Sequence, residues 1–555
     1  MNDIYSGKPE SPKRLSDELK SESKLIEHAG QMQVYSIPLK EQEVKINGCK
    51  FFSFGELSKV GGKKQSRTIL VLGATGAGKS TLINGMINHI LGVKWEDSYR
   101  FKLVDEDDTK SQAHSQTSEV VVYKLNHREG FEVPFSLTII DTPGFGDTRG
   151  IDRDREITEQ LHNLFSDKDG VSEINAVCFV AQAALARLTS TQKYVFDSIL
   201  SIFGKDVAEN IRVLVTFADG QKPPVLSGIT ESGVPCPKSK DGLPVHFKFN
   251  NSALFADNTT SEADAQSEDD EENFNQMFWN MGTKSMKRFF AALNQIETKS
   301  LILTNEVLIE RKELEISVEN LQVQVNLGLA KMEMIRETRH KIKDHEADIS
   351  RNQNFEVTIP VKRYKKVNIS GSGNCSTNCM NCNVTCHSPC TMSSDRKRCF
   401  VMDRSEKCTT CPMKCHYTQH LYEEYIWKLV DDFETQTVKE MLDNYNKAAG
   451  EKMTVEGLLS ELKAEYSLMQ KEVEKLIEKS ATCLNRLKEI ALKPNPLSTP
   501  EYIEMLIEGE KQEAKPGWKQ RVDSLMKMKD KAEFMAKVEK GEKRLLQQVS
   551  LDVTS

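Results

Sequence analysis

The sequence predicts an α/β domain with a mostly parallel sheet and flanking helices, followed by an α-helical antiparallel coiled-coil stalk carrying a small zinc module. Three observations predict it. An apolar run, Thr68-Ile69-Leu70-Val71-Leu72, leads into the glycine-rich Gly73-Ala74-Thr75-Gly76-Ala77-Gly78-Lys79-Ser80. Two long segments of the C-terminal half carry apolar residues at three- and four-residue steps. Nine of the thirteen cysteines lie between Cys375 and Cys415.

The glycine-rich run fits G-x-x-x-x-G-K-[ST], and the helix-compatible Thr81-Leu82-Ile83-Asn84 follows it. Glycines let the backbone curl, so that amides from Gly73 through Thr81 (Gly73, Ala74, Thr75, Gly76, Ala77, Gly78, Lys79, Ser80 and Thr81) can face phosphate oxygens. The helix start adds partial positive charge. Lys79 would reach the β- and γ-phosphates, and the Ser80 hydroxyl would bind Mg²⁺. A second apolar strand, Leu137-Thr138-Ile139-Ile140, ends in Asp141-Thr142-Pro143-Gly144-Phe145-Gly146-Asp147. Asp141 is placed to orient Mg²⁺, and Gly144 to offer its N–H to a γ-phosphate. Between the two motifs, Gln112-Ala113-His114-Ser115-Gln116-Thr117 precedes the strand Glu119–Tyr123. One hydroxyl here would complete Mg²⁺ coordination; Thr117 is the first candidate and Ser115 the second.

The strand Ile211–Val215 leads into Thr216-Phe217-Ala218-Asp219. A guanine-reading motif has the form [NT]-K-x-D. The Asp219 carboxylate would accept both the N1 and N2 hydrogens of guanine, donors that adenine lacks. Thr216 fills the first position, and Phe217 replaces the lysine, either to stack on the base or to join the core.

Together, Gly-Ala-Thr-Gly-Ala-Gly-Lys-Ser-Thr-Leu-Ile-Asn and Asp-Thr-Pro-Gly-Phe-Gly-Asp resemble the septin and immunity-associated (AIG-type) P-loop GTPases, over about Arg67 to Leu293. Ala176–Val180 with Ala186-Arg187-Leu188-Thr189 agrees with the families' pattern, and Asn250–Phe255, with Asn251 and Ser252, is similar to their base-cradling loop. The resemblance implies GTP and GDP as ligands with Mg²⁺, hydrolysis to GDP and phosphate, and a homodimer or higher assembly through the G-domain. Phe145 stands where Ras-like enzymes carry a water-orienting Gln. The related families rely on other groups or on a dimer partner. Arg187 is either an arginine finger for a neighbouring copy or a solvated residue of its own domain.

The cysteines contain an internal repeat. Cys379-x₂-Cys382-x₃-Cys386-His387-x₂-Cys390 is matched by Cys408-x₂-Cys411-x₃-Cys415-His416-x₃-His420. Paired thiolates two residues apart chelate one ion, and Zn²⁺ prefers S and N donors. With Cys375 and Cys399, twelve Cys/His ligands could hold two or three structural zincs. Arg396-Lys397-Arg398 is a small basic patch; docking of a protein partner, or simple stapling of the chain, fits the module better than nucleic acid does.

Upstream of the repeat, Leu303, Val307, Leu314, Val318, Leu321, Val325, Leu329 and Met332 form one seam. Downstream, Leu459, Leu462, Tyr466, Met469, Val473, Leu476, Ser480, Cys483, Leu487 and Ile490 form another. Such seams make coiled coils, closed within one chain or between two. A helix out and a helix back would place the zinc module at the tip of a hairpin, with Phe355–Val361 pairing with Leu421–Ile426 below it.

The 555 residues suit about two to four domains. The expected divisions are a disordered 1–30, a short β-element 31–66, the nucleotide domain 67–293, a first helix 294–350, the Cys/His module with short strands 351–433, returning helices 434–492 and a helical segment 493–555. Net charge is −7, which leaves no global nucleic-acid footprint. No secretory signal or membrane-length apolar run is evident, so a cytoplasmic protein is expected. The expected function is a Mg²⁺-dependent GTPase switch. The alternatives are a non-hydrolysing GTP-binding scaffold and an ATP-driven zinc-hook ATPase, against which Asp141-Thr142-Pro143-Gly144 stands in place of an apolar strand ending Asp-Glu.

Overall fold

The computed structural model describes residues 14–29, 32–56, 65–104, 118–146, 151–185, 190–256, 258, 269–344, 356–370, 375–388, 390, 396–399, 401–403, 405–411, 413–437, 440, 455–493, 500–513 and 518–539. Two compact units emerge. The first is Met1–Leu308 with Ile490–Pro496 and Glu501–Met526; the second is Ile309–Glu489 with Leu497–Pro500 and Lys527–Ser555.

In the first unit, α1 is Leu15–Glu22, followed by strands β1 (Lys24–Ala29), β2 (Met32–Ser36), β3 (Lys40–Glu41), β4 (Cys49–Phe54) and β5 (Ser66–Gly73). Helix α2 (Lys79–Ile90) leads to β6 (Tyr99–Lys102), β7 (Val120–Leu125) and β8 (Ser136–Asp141). Then come α3 (Ile151–Ser166), β9 (Glu173–Ile174), β10 (Ala176–Gln182), α4 (Ser190–Leu200), β11 (Ile211–Thr216), α5 (Val225–Glu231), β12 (His246–Lys248), α6 (Asp269–Gln295) and β13 (Lys299–Ser300).

The main sheet has the order β12-β11-β10-β5-β8-β7-β4-β3. All its pairings are parallel except β7–β8 and β3–β4. Ile69 to Leu72 are fully buried, as a parallel strand covered on both faces requires, which is why they read as one unbroken apolar run. On one face, Leu82, Ile83, Met86 and Ile87 of α2 join Met286, Phe289, Phe290 and Leu293 of α6 in the largest described core cluster. Each fully buried side chain of this size contributes roughly 1.5–3 kcal/mol.

Two expectations for the N-terminal region need correction. Residues 15–29 are ordered: Leu15 and Leu19, one turn apart, enter the main core cluster, and Arg14 pairs with Asp97 at 2.7 Å. Nor is 31–66 a separate β-element. While β2 pairs with β1 and β6 in a small sheet, β4 is a full member of the main sheet beside β7, with Phe51 and Phe54 buried. Residues 43–46 form no strand.

In the second unit, most of α7 (Ile302–Asp344) runs antiparallel to α8 (Val455–Ile490). Leu321 and Val325 pack with Val473 and Ile477, and the buried hydroxyls of Ser317 and Ser480 lie 2.9 Å apart. The side chains of Leu329, Met332, Leu459 and Leu462 lie outside the described residues. Two further helices, α9 (Pro500–Glu513) and α10 (Trp518–Glu539), close the chain.

Between α7 and α8 the strands are long, not short. β14 (Glu356–Asn368) pairs along its whole length with β18 (Tyr425–Thr437), so Val361 faces Asp432 and only Tyr425 and Ile426 of the expected partner strand reach β14. Leu421 belongs to β17 (His420–Glu423), which flanks β15 (Ser376–Cys379) opposite β16 (Val384–His387). Ile316 of α7 packs against the cysteine cluster built on these strands. From Ile316 to the end of α7 is about 42 Å at helical rise, and a 13-residue ribbon spans about 43 Å. The ribbon therefore turns back along the helix and sets the knot beside Ile316. The expectation of a knot at the hairpin tip fails because apolar periodicity fixes which face packs and carries no sign for the direction of the next element.

Candidate functional site

Strands β5, β8, β10, β11 and β12 run parallel and end at one edge of the sheet, where open α/β sheets bind ligands. The phosphate loop leaves β5 with positive φ at Gly76 (75°) and Gly78 (79°), a conformation that non-glycine residues enter at a cost. Gly73 has a separate reason to be glycine: a Cβ there would lie 2.5 Å from the Val180 carbonyl oxygen on β10. Helix α2 begins at Lys79 directly after Gly78. The buried Lys79 ammonium donates to the carbonyls of Gly73 (3.3 Å) and Ala74 (3.1 Å), curled over its own loop.

The second motif lies against this loop. Asp141, buried, faces Val71 across the β5–β8 pair, and the Thr142 hydroxyl donates to the Val71 carbonyl at 2.9 Å. Beyond the strand ends the pairing continues: Phe145 N–H donates to Gly73 (3.1 Å), and Thr75 N–H donates to Phe145 (2.9 Å). Gly144 is pressed on Thr75 so closely that a Cβ would come within 2.5 Å of the Thr75 Cα and Oγ1. Gly146 N–H is held by Asp154 of α3 at 3.0 Å, and Asp154 also accepts the Tyr194 hydroxyl at 2.9 Å. Burial, then the Asp154 carboxylate, raises the Tyr194 pKa well above its ordinary value, so the phenol keeps its proton.

The segment expected to read the base, Thr216–Asp219, is braced to the same loop. Thr216 is buried, and its hydroxyl donates to the Ala77 carbonyl at 2.8 Å; it ties the two loops together. Phe217 is no core residue: 55% exposed with φ of 52°, it lays its ring edge 3.4 Å from where a Gly78 Cβ would stand. Asp219 Oδ1 accepts Gln221 N–H at 2.9 Å. Ser252 donates its hydroxyl to Asn250 at 2.8 Å, and the Asn250 amide donates to the Ala218 carbonyl at 3.2 Å. Asn251 turns toward α2, where its Oδ1 lies 3.5 Å from a Cβ built on Gly85. Thr117, Ser115 and Arg187 lie outside the described residues.

Sequence reading missed Gln182, whose amide donates to the Gly76 carbonyl at 2.9 Å, and Asp154. Each is an isolated polar residue at a strand end or on a helix, with no local pattern to single it out.

In the second unit, three groups of soft donors gather within 4.8 Å in each group: Cys379, Cys382, Cys411 and Cys415; Cys386, Cys408, Cys411 and His420; and His387, Cys390 and Cys399. Ten of the twelve expected ligands are thereby brought together. Cys375 and His416 stand outside: the Cys375 carbonyl accepts Cys390 N–H at 2.8 Å, and His416 Nε2 faces Glu406 at 3.2 Å.

The septin family model matches residues 63–166, which contain the phosphate loop, Asp141, Gly144 and all of α3. Over this segment the chain is septin-like. No curated protein matches the chain. Solved structures similar to part of the chain include Toc33 from Arabidopsis thaliana in complex with Mg²⁺ and GMPPNP, at 18% identity over 42% of this chain and 87% of that one, with a TM-score of 0.26. The G domain of the T. maritima FeoB iron transporter aligns at 14% identity over 42% of this chain and 100% of that one, with a TM-score of 0.21. No helix among the described residues is long and apolar enough to cross a membrane.

Proposed function

We propose that the septin-like domain is a Mg²⁺-dependent GTP-binding switch with slow hydrolysis, and that the second unit is a zinc-stapled stalk whose placement follows the nucleotide state. The observation that carries the reading is the direct pairing of Gly144–Phe145 with Gly73–Thr75. Anything that occupies the phosphate loop must press on the segment that ends β8.

The residues fit a nucleoside triphosphate. Gly76 and Gly78 give the loop the concave turn in which amides converge on phosphate oxygens. Lys79 would leave its carbonyl partners for the β- and γ-phosphates. Ser80 and Asp141, with Thr117, would hold Mg²⁺, which when bound offsets the charge on the phosphate oxygens. Gly144 N–H would turn to the γ-phosphate, and Asp219 would accept the two guanine hydrogens, with Phe217 beside the base and Asn250 and Ser252 shaping its loop. Catalysis would rest on positioning and charge stabilisation by Lys79 and the loop amides. Phe145 is buried and offers no group to orient water, which supports slow turnover unless Arg187 of a second copy completes the site. In the stalk, the cysteine and histidine groups have the donor chemistry of structural zinc.

The test is binding of fluorescent GTP, GDP and ATP to the full chain with Mg²⁺, with particle mass read in each state. Tight binding of both guanine nucleotides, weak ATP binding and a dimer only with a GTP analogue are expected. GTP binding with unchanged mass would replace the switch with a scaffold, and preference for ATP would remove the guanine assignment.

A further inference from the structure

We propose that the cysteine knot holds a binuclear zinc cluster in which the Cys411 thiolate bridges both ions. This rests on the zinc reading above and adds its architecture. Cys411 is the one residue shared by two of the three donor groups. Two four-coordinate ions need eight ligand positions. The two groups supply seven donors among the described residues, so one sulfur serves twice.

The spacing suits tetrahedral zinc. With Zn–S bonds of about 2.3 Å, neighbouring sulfurs sit about 3.8 Å apart. Cys382 and Cys415 are 3.7 Å apart, and Cys390 and Cys399 of the third group 3.8 Å apart. Backbone amides aim at the sulfurs: Cys382 N–H at Cys379 (3.4 Å), Cys411 N–H at Cys408 (3.3 Å) and Cys415 N–H at Cys411 (3.2 Å). Such bonds favour thiolates.

The histidine is prepared in the same way. A carbonyl can only accept, so the 3.1 Å contact of His420 Nδ1 with the His416 carbonyl fixes the proton on Nδ1. The neutral ring then presents the Nε2 lone pair, as zinc-bound histidines do when the other ring nitrogen donates to a carbonyl. His420 Nε2 is buried. Charge also favours sharing: six thiolates around two Zn²⁺ leave −2, whereas a seventh thiolate would leave −3 in a buried site.

Reconstitution of the full chain with ¹¹³Cd²⁺ tests this. Two ¹¹³Cd resonances should each be split by the other through the shared sulfur, with any third ion unsplit. Singlets only would overturn the bridge and leave the zinc reading standing; no bound metal would overturn both. As a second measurement, Cys411→Ser should release about two ions per chain together, because both sites lose a ligand, whereas Cys399→Ser should release about one. Loss of one ion from Cys411→Ser would also overturn the bridge. An iron–sulfur absorption band in the isolated protein would overturn the choice of zinc.

Discussion

Replacing Gly144 with Ala tests how the nucleotide segment is coupled to the phosphate loop. The new Cβ would lie 2.5 Å from Thr75 Cα and Oγ1 and 2.7 Å from Thr75 N, where ordinary contact begins at 3.4 Å. The Gly144 backbone must therefore retreat by about 0.9 Å, the difference between contact and clash. The same retreat stretches the 2.9 Å bond from Thr75 N–H to Phe145 beyond the roughly 3.2 Å at which such bonds end. Overpacking costs about 1–3 kcal/mol and the lost backbone bond about 1 kcal/mol. A domain of this size loses about 2–4 °C per kcal/mol, so the transition should fall by roughly 4–16 °C. Thermal unfolding, with GDP and with a GTP analogue, reads both parts of the claim. The variant should keep the stabilisation by GDP and lose the extra stabilisation by the triphosphate. Adding Thr75→Gly should rescue it only in part, because the hydroxyl goes while the Thr75 backbone stays within 2.7 Å. A Gly144→Ala protein with an unchanged transition, still favouring the triphosphate, would refute the coupling.

Asp219→Asn keeps the acceptor oxygen for Gln221 and removes the carboxylate; competition binding should show guanine nucleotides weakened by about 1.5–3 kcal/mol, and unchanged affinity would mean that Asp219 does not read the base. His89 is stacked 5.8 Å from Phe290, and burial followed by the Lys287 charge pushes its pKa down to about 4. The unfolded chain takes up that proton near pH 6.5, so His89 costs nothing above pH 6.5, and the domain loses stability as pH falls from there towards 4, by at most about 3 kcal/mol; urea unfolding at pH 7 and 4.5 should show a smaller loss for His89→Phe, and equal losses would dismiss the claim. Chelation of the full chain should raise the count of reagent-accessible thiols by about eight, the cysteines of the three donor groups; thiols equally reactive before and after would argue against bound metal.

What the sequence made legible is what a local rule demands. Gly76 and Gly78 are glycine because their φ is positive, and Lys79 opens a helix because the loop before it ends in the left-handed region. These constraints act within a few residues, so a short pattern carries them. Gln182 and Gly76 are 106 positions apart, and Asp154 and Tyr194 are 40 apart. Each pairing depends on which strands become neighbours, and no single residue announces it. Thr216 shows the limit from the other side: the motif singles the residue out for the base, while the contact its hydroxyl makes is with the Ala77 carbonyl, 139 positions earlier in the chain. The order in α1 rests on only two leucines in a polar segment, too few for periodicity to speak. Strand β4 escapes a local reading because its place in the sheet is set by β7, about seventy residues later.

The pair α7 and α8 poses a different problem, because an apolar seam alone tolerates slippage. Moving one helix by a heptad would shift it about 10.5 Å and bring apolar residues together again. The buried pair Ser317–Ser480 breaks that degeneracy. In a register slipped by a heptad the Ser317 hydroxyl would face Val473 or Leu487, at about 1–3 kcal/mol for a group left unsatisfied. Ser317 follows Ile316, the residue on which the cysteine knot rests. The polar pair that fixes the helices thus sits at the level where the returning ribbon delivers its cysteine and histidine groups. A register slip would then cost the Ser317 hydroxyl its partner and also pull the knot off its helical support, so one registry is favoured by two independent terms where the seam by itself supplies none.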